Sequence, residues 1–283
     1  MTAKLYSSPV LTLTASASIH DALVLMKTSF VKRVVIVRDK RPVGILTERD
    51  VNRFLEKDTT KRSLSEIPIR EAMRKDLITI VSDLEDFLHQ CATRMVTFKI
   101  GSIIVTDENG DLAGIVTQTD IADVFAAKYS GRYRVRDYMS EKTVTCRSSD
   151  QLKYALEILN KNDVSRLVVT DNSGHVMGLV TTNTFLRRSE YFKRADGLAR
   201  DYLLEKSKYS LTVDSLLEKE IIVVEPDYDL ASAAQLMIKN KISGVPVISH
   251  DTLVGVVTKF DIVRAFCDVP VHKTVLEKYR APT

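Results

Sequence analysis

Tryptophan is absent from this chain of 283 residues, and all aromatic side chains together make up 7% of it. Aromatic platforms on which nucleic-acid bases stack are therefore not to be expected. Cysteine occurs three times, at Cys91, Cys146 and Cys267, far apart and odd in number. There is no CxxC pair, and the five histidines are scattered, so no metal-ligand spacing can be drawn. The cysteines are expected as small packing residues inside the fold. Prolines number only seven, while 45% of residues are hydrophobic, which argues for a sizeable core and against disorder. The start, MTAKLYSSPVLTL, lacks a basic region followed by an apolar run and a cleavage site. No apolar run nears the roughly 20 residues needed to span a bilayer. The expectation is a cytoplasmic protein without membrane contact. A formal charge of +4 mildly favours anionic partners such as phosphates, and falls short of the basic stripes that mark nucleic-acid binding.

What the chain does contain is repetition. GIVTQTD begins at Gly114, and near variants stand at Gly44 (GILTERD), Gly178 (GLVTTNT) and Gly255 (GVVTKFD). The spacing of the four glycines is too uneven for a strict solenoid and suits small units joined by unequal linkers. A β-branched run precedes each glycine: VVIV at 34–37, IIVT at 103–106, LVVT at 167–170 and VPVI at 245–248. Polar turns such as DENGDLA and DNSGHVM lie between run and glycine, which predicts a hairpin in each unit.

Upstream of each hairpin lies a helical pattern, starting at Ser18, Asp83, Gln151 and Asp229. Its apolar residues fall three and four apart, as in Leu230, Ala233, Ala234 and Met237. Ser18 with Asp21, and Asp83 with Asp86, have the spacing of N-caps backed by an acid. Short extended pieces (VLTL, LITI, TVTC, IIVV) precede these helices. Short helices (DVNRFLEK, DIADVFAAK, TFLRRSEY, DIVRAFC) follow the hairpins. The fold class is α+β, with each unit ordered strand, helix, strand, strand, helix. The units are placed at 1–58, 68–130, 135–190 and 213–270. A unit of about 50 to 60 residues is marginal alone, so two pairs are expected, roughly 1–130 and 131–283. The joints at 59–67 and 129–138 are polar, and the long charged joint from Ser189 is expected to be partly helical.

Four recurrences of Gly-apolar-apolar-Thr-x-x-Asp behind a hairpin resemble CBS domains, named after cystathionine β-synthase. The resemblance covers nearly the whole chain. It implies that paired units form two Bateman modules, whose clefts take adenosine-containing ligands: AMP, ADP, ATP or S-adenosylmethionine. It further implies a non-catalytic regulatory protein acting on a protein partner not identifiable from the sequence. Two modules could form a disc within one chain, or two chains could form a homodimer.

The motif itself has two compatible roles. Thr caps the helix that follows, and Asp three residues on returns a bond to the cap amide. The same helix mouth is a natural phosphate seat. In CBS domains that resemble this one, the Asp contacts ribose and the Thr lies by the phosphates. Carried over, the ligand-binding candidates are Thr47 and Asp50, Thr117 and Asp120, and Thr258 and Asp261. The third copy has Thr184 where Asp would stand, and a hydroxyl cannot offer two carboxylate oxygens, so that site is expected to be weak or empty. Expected phosphate contacts are Lys259, Arg132 and Arg134, with Arg49, Arg136, Lys32, Arg33, Lys99 and Arg166 as further cations. Their charge favours AMP or ADP, then ATP, over S-adenosylmethionine, whose sulfonium gains nothing from arginine. No cofactor or metal is expected. The motif acids stand one per unit without a partner base, which argues against catalysis. The alternatives are an interaction scaffold whose motifs are caps alone, and a nucleic-acid-binding accessory protein using the arginines of GRYRVR.

Overall fold

In the computed structural model, which describes residues 6–60, 62–82, 86–171, 173–187, 212–218 and 220–269, each repeated phrase forms the second strand of a hairpin and the mouth of the next helix. Unit 1 runs β1 (Thr12–Leu13), α1 (Ile19–Thr28), β2 (Arg33–Arg38), β3 (Arg41–Thr47) and α2 (Glu48–Lys57). Unit 2 runs β4 (Thr79–Val81), α3 (Phe87–Phe98), β5 (Ser102–Thr106), β6 (Leu112–Thr117) and α4 (Gln118–Lys128). Unit 3 follows with β7 (Thr145–Arg147), α5 (Leu152–Lys161), β8 (Arg166–Thr170), β9 (Val176–Thr181) and α6 (Thr182–Arg187). Unit 4 has α7 (Leu230–Lys239), β10 (Gly244–Ser249), β11 (Thr252–Thr258) and α8 (Lys259–Asp268). In units 1 to 3 the short first strand pairs parallel to the first hairpin strand, and the hairpin itself is antiparallel.

Two expectations need correction. The helix read from Asp83 begins only at Phe87, and Asp86 before it has left-handed backbone and makes no side-chain cap bond; Asp83 lies outside the described residues. The Ser18–Asp21 cap, by contrast, is formed. The first strand of unit 4 shrinks to one bridge, Val224 with Val247. The cause is Pro246. In the other units the equivalent residue donates its amide to the first strand: Val35 to Leu11, Ile104 to Ile78 and Val168 to Val144. Proline has no N–H to give, so the ladder stops there. The long joint after Ser189 also falls outside the described residues.

Pairing is built by the linkers. The segment leading into each unit lies antiparallel along the last strand of its partner: Ser7 bridges Ile115, Arg74 bridges Ile45, Ser140 bridges Val256 and Glu218 bridges Leu179. Unit 1 is thus paired with unit 2, and unit 3 with unit 4. The motif glycine is the place where the linker passes. A Cβ at Gly114 would lie 2.1 Å from the Tyr6 ring, and one at Gly44 would lie 2.5 Å from the Met73 sulfur. Leu217 crowds Gly178 and Met139 crowds Gly255 in the same way. Sheet faces complete the first pair, with Val35, Ile104 and Ile115 buried between units 1 and 2.

The two pairs then meet through helices. In one seam, α3 and α4 of unit 2 pack on α7 and α8 of unit 4. There a single apolar core runs through both units, from Phe87, Met95 and Phe125 to Leu230, Met237 and Ile262. In the other seam, α2 of unit 1 meets α5 and α6 of unit 3, but units 1 and 3 keep separate cores.

Candidate functional site

The four motif helices start where the pairs meet. In units 1, 2 and 4 the expected capping arrangement is present. One oxygen, Oδ2, of Asp50 accepts from the Thr47 amide at 3.0 Å and the Thr47 hydroxyl at 2.6 Å. Asp120 does the same with Thr117, at 2.6 Å for both, and Asp261 with Thr258, at 2.8 and 2.7 Å. The threonine hydroxyl proton is therefore committed to the acid, and each cap consumes one carboxylate oxygen. What remains for a ligand is Oδ1. Its neighbours differ: Arg74 donates to Oδ1 of Asp50 at 2.8 Å, the Ser7 hydroxyl to that of Asp120 at 3.3 Å, and Arg264 to that of Asp261 at 3.3 Å. Asp50 and Asp261 are buried. Burial pushes the Asp261 carboxyl above its usual range, against the bonds from Thr258 and Arg264 that favour its charged form.

In unit 3, Thr181 and Thr184 share a hydroxyl contact of 2.8 Å. Thr184 then donates to the Glu218 carboxylate, at 3.0 Å, from the linker of unit 4. A carboxylate is present at this mouth after all, but it belongs to the partner unit and is already engaged by the threonine.

Around the mouths stands a group of cations. Lys259, the first residue of α8, reaches across the pairs to the Thr119 hydroxyl of unit 2 at 3.1 Å. Lys32 donates to the Ser243 hydroxyl at 3.3 Å, and Arg166 to the same oxygen. Arg33 lies over Gly101, where a Cβ would sit 3.0 Å from the guanidinium. Neither Arg33 nor Arg166 forms a salt bridge with a described carboxylate. Burial pulls the Arg166 guanidinium down to about 10, with Arg49 lowering it further and Asp261 opposing. Burial lowers Arg33 as well, offset by Asp120, Glu48 and Asp50. Lys259 falls to about 8, first through burial and then through repulsion by Lys32, Arg166 and Arg33. Burial and mutual repulsion outweigh the nearby acids at Arg33, Arg166 and Lys259, so an anion placed among them would stabilise their charged forms.

Arg49 is committed otherwise. With Arg53 it grips Asp163 of unit 3, at 3.2 and 2.7 Å. Glu48 accepts from Asn183, and the Asn52 amide reaches the Thr182 carbonyl at 3.5 Å. Arg132 and Arg134 are not brought to the mouths. Arg132 lies over the Tyr129 ring beyond the far end of α4, about 16 Å along the helix from Thr117. Arg134 donates to the Asp227 carbonyl, and Arg136 pairs with the Asp227 side chain. Lys99 is exposed at the end of α3. Sequence reasoning missed Ser7, Arg74, Ser140 and Glu218. A signal existed: an apolar residue followed by a polar one (Tyr6-Ser7, Met73-Arg74, Met139-Ser140, Leu217-Glu218) recurs shortly before each first strand. Among the described residues no cluster of His, Cys, Asp and Glu could hold a metal, and no helix is long and apolar enough to cross a membrane.

Four α+β units, paired by their linkers and presenting capped helix mouths to a shared centre, define a tandem two-module architecture. The chain belongs to the CBS domain family, whose model matches residues 3–57, 69–127, 135–191 and 213–268. It carries four CBS domains in two Bateman modules. Protein MJ1225 of Methanocaldococcus jannaschii is 22% identical over 273 residues, spanning 91% of this chain and 95% of that protein. The crystal structure of MJ1225 superimposes with a TM-score of 0.82 at 19% identity, covering 93% of this chain and 98% of the other. A 33.4 kDa protein from a ribosomal RNA operon of Thermofilum pendens is 27% identical over 275 residues, spanning 90% of this chain and 87% of its own length.

Proposed function

We propose that this protein binds adenine nucleotides reversibly at its Thr-x-x-Asp mouths and, through their occupancy, regulates a protein partner. The observation that supports this most is the cation group of Arg33, Arg166, Lys32 and Lys259. It draws on units 1, 3 and 4, and Lys259 reaches Thr119 of unit 2 while Lys32 and Arg166 converge on the Ser243 hydroxyl. Phosphates would lie among these side chains and the helix amides. A ribose would use the aspartate oxygen that the cap leaves over. AMP and ADP rank ahead of ATP, and S-adenosylmethionine last, since a sulfonium would meet four like charges.

Binding requires no chemistry. An anion that touches Lys259 and Arg166 of the second module together with Arg33 of the first favours whichever arrangement of the modules brings them closest. It shifts that balance only by its differential affinity for the two arrangements. A partner that contacts both modules reads the result. MJ1225, whose fold this chain shares, has been put forward as an archaeal homolog of g-AMPK, which agrees with a regulatory role.

The test is calorimetric titration of the purified protein with AMP, ADP and ATP, alongside Asp120→Ala. Loss of a charge-assisted bond of roughly 1.5–3 kcal/mol should weaken that site about ten- to a hundredfold. Because Asp120 also closes the Thr117 cap, the free protein should lose about 0.5–2 kcal/mol, a shift of a few degrees in melting that leaves it folded for the titration. Negligible heats for the wild-type protein with all three nucleotides would reject the proposal.

A further inference from the structure

The four mouths share one construction, yet the partner's linker places a different residue at each. Backbone bridges put Ser7 beside unit 2, Arg74 beside unit 1, Ser140 beside unit 4 and Glu218 beside unit 3. Two of these are charged and hold the fourth motif residue. Arg74 forms an ion pair of 2.8 Å with the otherwise buried Asp50. Glu218 accepts the Thr184 proton. The other two are exposed serines. Ser7 touches Asp120 only at 3.3 Å. At Asp261 the ion-pair partner is Arg264, at 3.3 Å from one turn along the same helix, and the linker side presents Ser140.

We infer that this linker residue decides which mouths accept a ribose, and that the protein has two open nucleotide sites, at Asp120 and Asp261, one in each module. The inference rests on the nucleotide reading above and adds to it a count and a cause. A ribose hydroxyl needs the aspartate oxygen that capping spares. At Asp50 a guanidinium already fills that position with a charge-assisted bond, the stronger competitor for a carboxylate. At Thr184 the motif supplies no carboxylate, and the borrowed Glu218, held through one oxygen by Thr184, comes from the linker side and not from the third position of the helix. At Asp120 the serine hydroxyl, small and neutral, yields to a ligand at little cost. At Asp261 the Arg264 contact of 3.3 Å is longer than the 2.8 Å pair at Asp50 and outside the roughly 2.7–2.9 Å of a strong charge-assisted bond, so it too is the weaker competitor. The two open mouths lie on units 2 and 4, the units joined by the continuous core, and Lys259 of one reaches Thr119 of the other. Between the Asp50 and Asp120 mouths, whose motifs are alike, access is thus set by the residue from the partner unit, Arg74 or Ser7.

Reciprocal exchanges test this. Calorimetry with AMP, and in parallel ADP and ATP, should give two sites per wild-type chain. Arg74→Ser should add a third, and Asp50→Asn in that background should remove it again. Ser7→Arg, made at an exposed residue that the core does not use, should leave one. If the count stays at two in both Arg74→Ser and Ser7→Arg, the assignment is overturned while nucleotide binding stands. The same holds if Asp50→Asn alone removes a site from the wild type. If neither the wild type nor any variant takes up nucleotide, both readings fall together.

Discussion

The two seams between the modules are made of opposite materials. Unit 2 meets unit 4 through one apolar core that includes Phe125, Met95, Ala234 and Ile262, all fully buried. Unit 1 meets unit 3 through Arg49 and Arg53 on Asp163, Glu48 on Asn183 and Asn52 on Thr182. An interface of the first kind has no good alternative packing and holds its geometry. In the second kind the exposed pairs of Arg49 and Arg53 with Asp163 trade with water at small net cost, although Glu48, Asn52 and Thr182 beside them are buried. The lesson is that a near-symmetric array of four units carries one fixed joint and one adjustable joint. Under the proposed function, a nucleotide at the centre would have something to move, and a fixed edge to move it against.

The comparison can be broken first by its largest effect. Phe125→Ala removes a fully buried ring that stacks near Tyr129 and Tyr133, at 5.2 and 5.7 Å between centroids. It should cost about 3–5 kcal/mol, measured by urea unfolding. A loss below 1 kcal/mol would mean that the seam of units 2 and 4 is not the strong one.

The next effect concerns protons. Lys259 titrates near 8 in the free protein, below its ordinary value, because it is buried among other cations. A bound phosphate would restore its proton. Above pH 8 that proton must be taken from solvent, so AMP affinity should fall by up to about tenfold from pH 7 to pH 9, and Lys259→Met should flatten this dependence. For stability the sign is the reverse. Between about 8 and the ordinary lysine value the unfolded chain binds more protons than the folded one, so the free protein gains stability as pH rises through that window. Titrations at three pH values, with melting curves of the free protein, examine both directions.

Smaller effects sharpen the contrast. Asp163→Asn removes a carboxylate with a half-exposed side chain from two arginines, and should change stability by no more than about 1 kcal/mol. The smallest shift should come from salt. Raising ionic strength from 0.1 to 1 M shortens the screening length from about 10 to 3 Å. Amide exchange in α2 should then quicken slightly, while α4 and α8 keep their protection. Equal responses would remove the distinction between the seams.

Much of this molecule was legible in its residues, for reasons that mark where legibility ends. Alternating and three-four periodicities are local, so hairpins such as β5–β6 and helices such as α7 could be read directly. The Thr47, Thr117 and Thr258 caps could be read because they close within one turn. Pro246 also stood in plain view, but its effect depends on which amides face the first strand, and that is a matter of register. An apolar stripe tells that a helix is covered and does not tell by what. The charge of α2 (ERDVNRFLEK) against the apolar α4 (QTDIADVFAAK) hints at the two kinds of seam, but does not say which unit each helix meets. The partners of the spare aspartate oxygens were hidden for the same reason: Ser7 and Asp120 stand 113 positions apart. Arg132 and Arg134 stand just before unit 3 in the chain, yet their contacts with Tyr129 and the Asp227 carbonyl hold them away from the mouths.

The notch at each motif glycine has a practical corollary. Tyr6, Met73, Met139 and Leu217 fill the notches of units other than their own, so a single unit cut from the chain would carry an empty groove and a stray arm. The smallest piece that can be transplanted whole is a pair, together with the arm that leads into its first member. Trimming the first ten residues would thus injure the second unit more than the first.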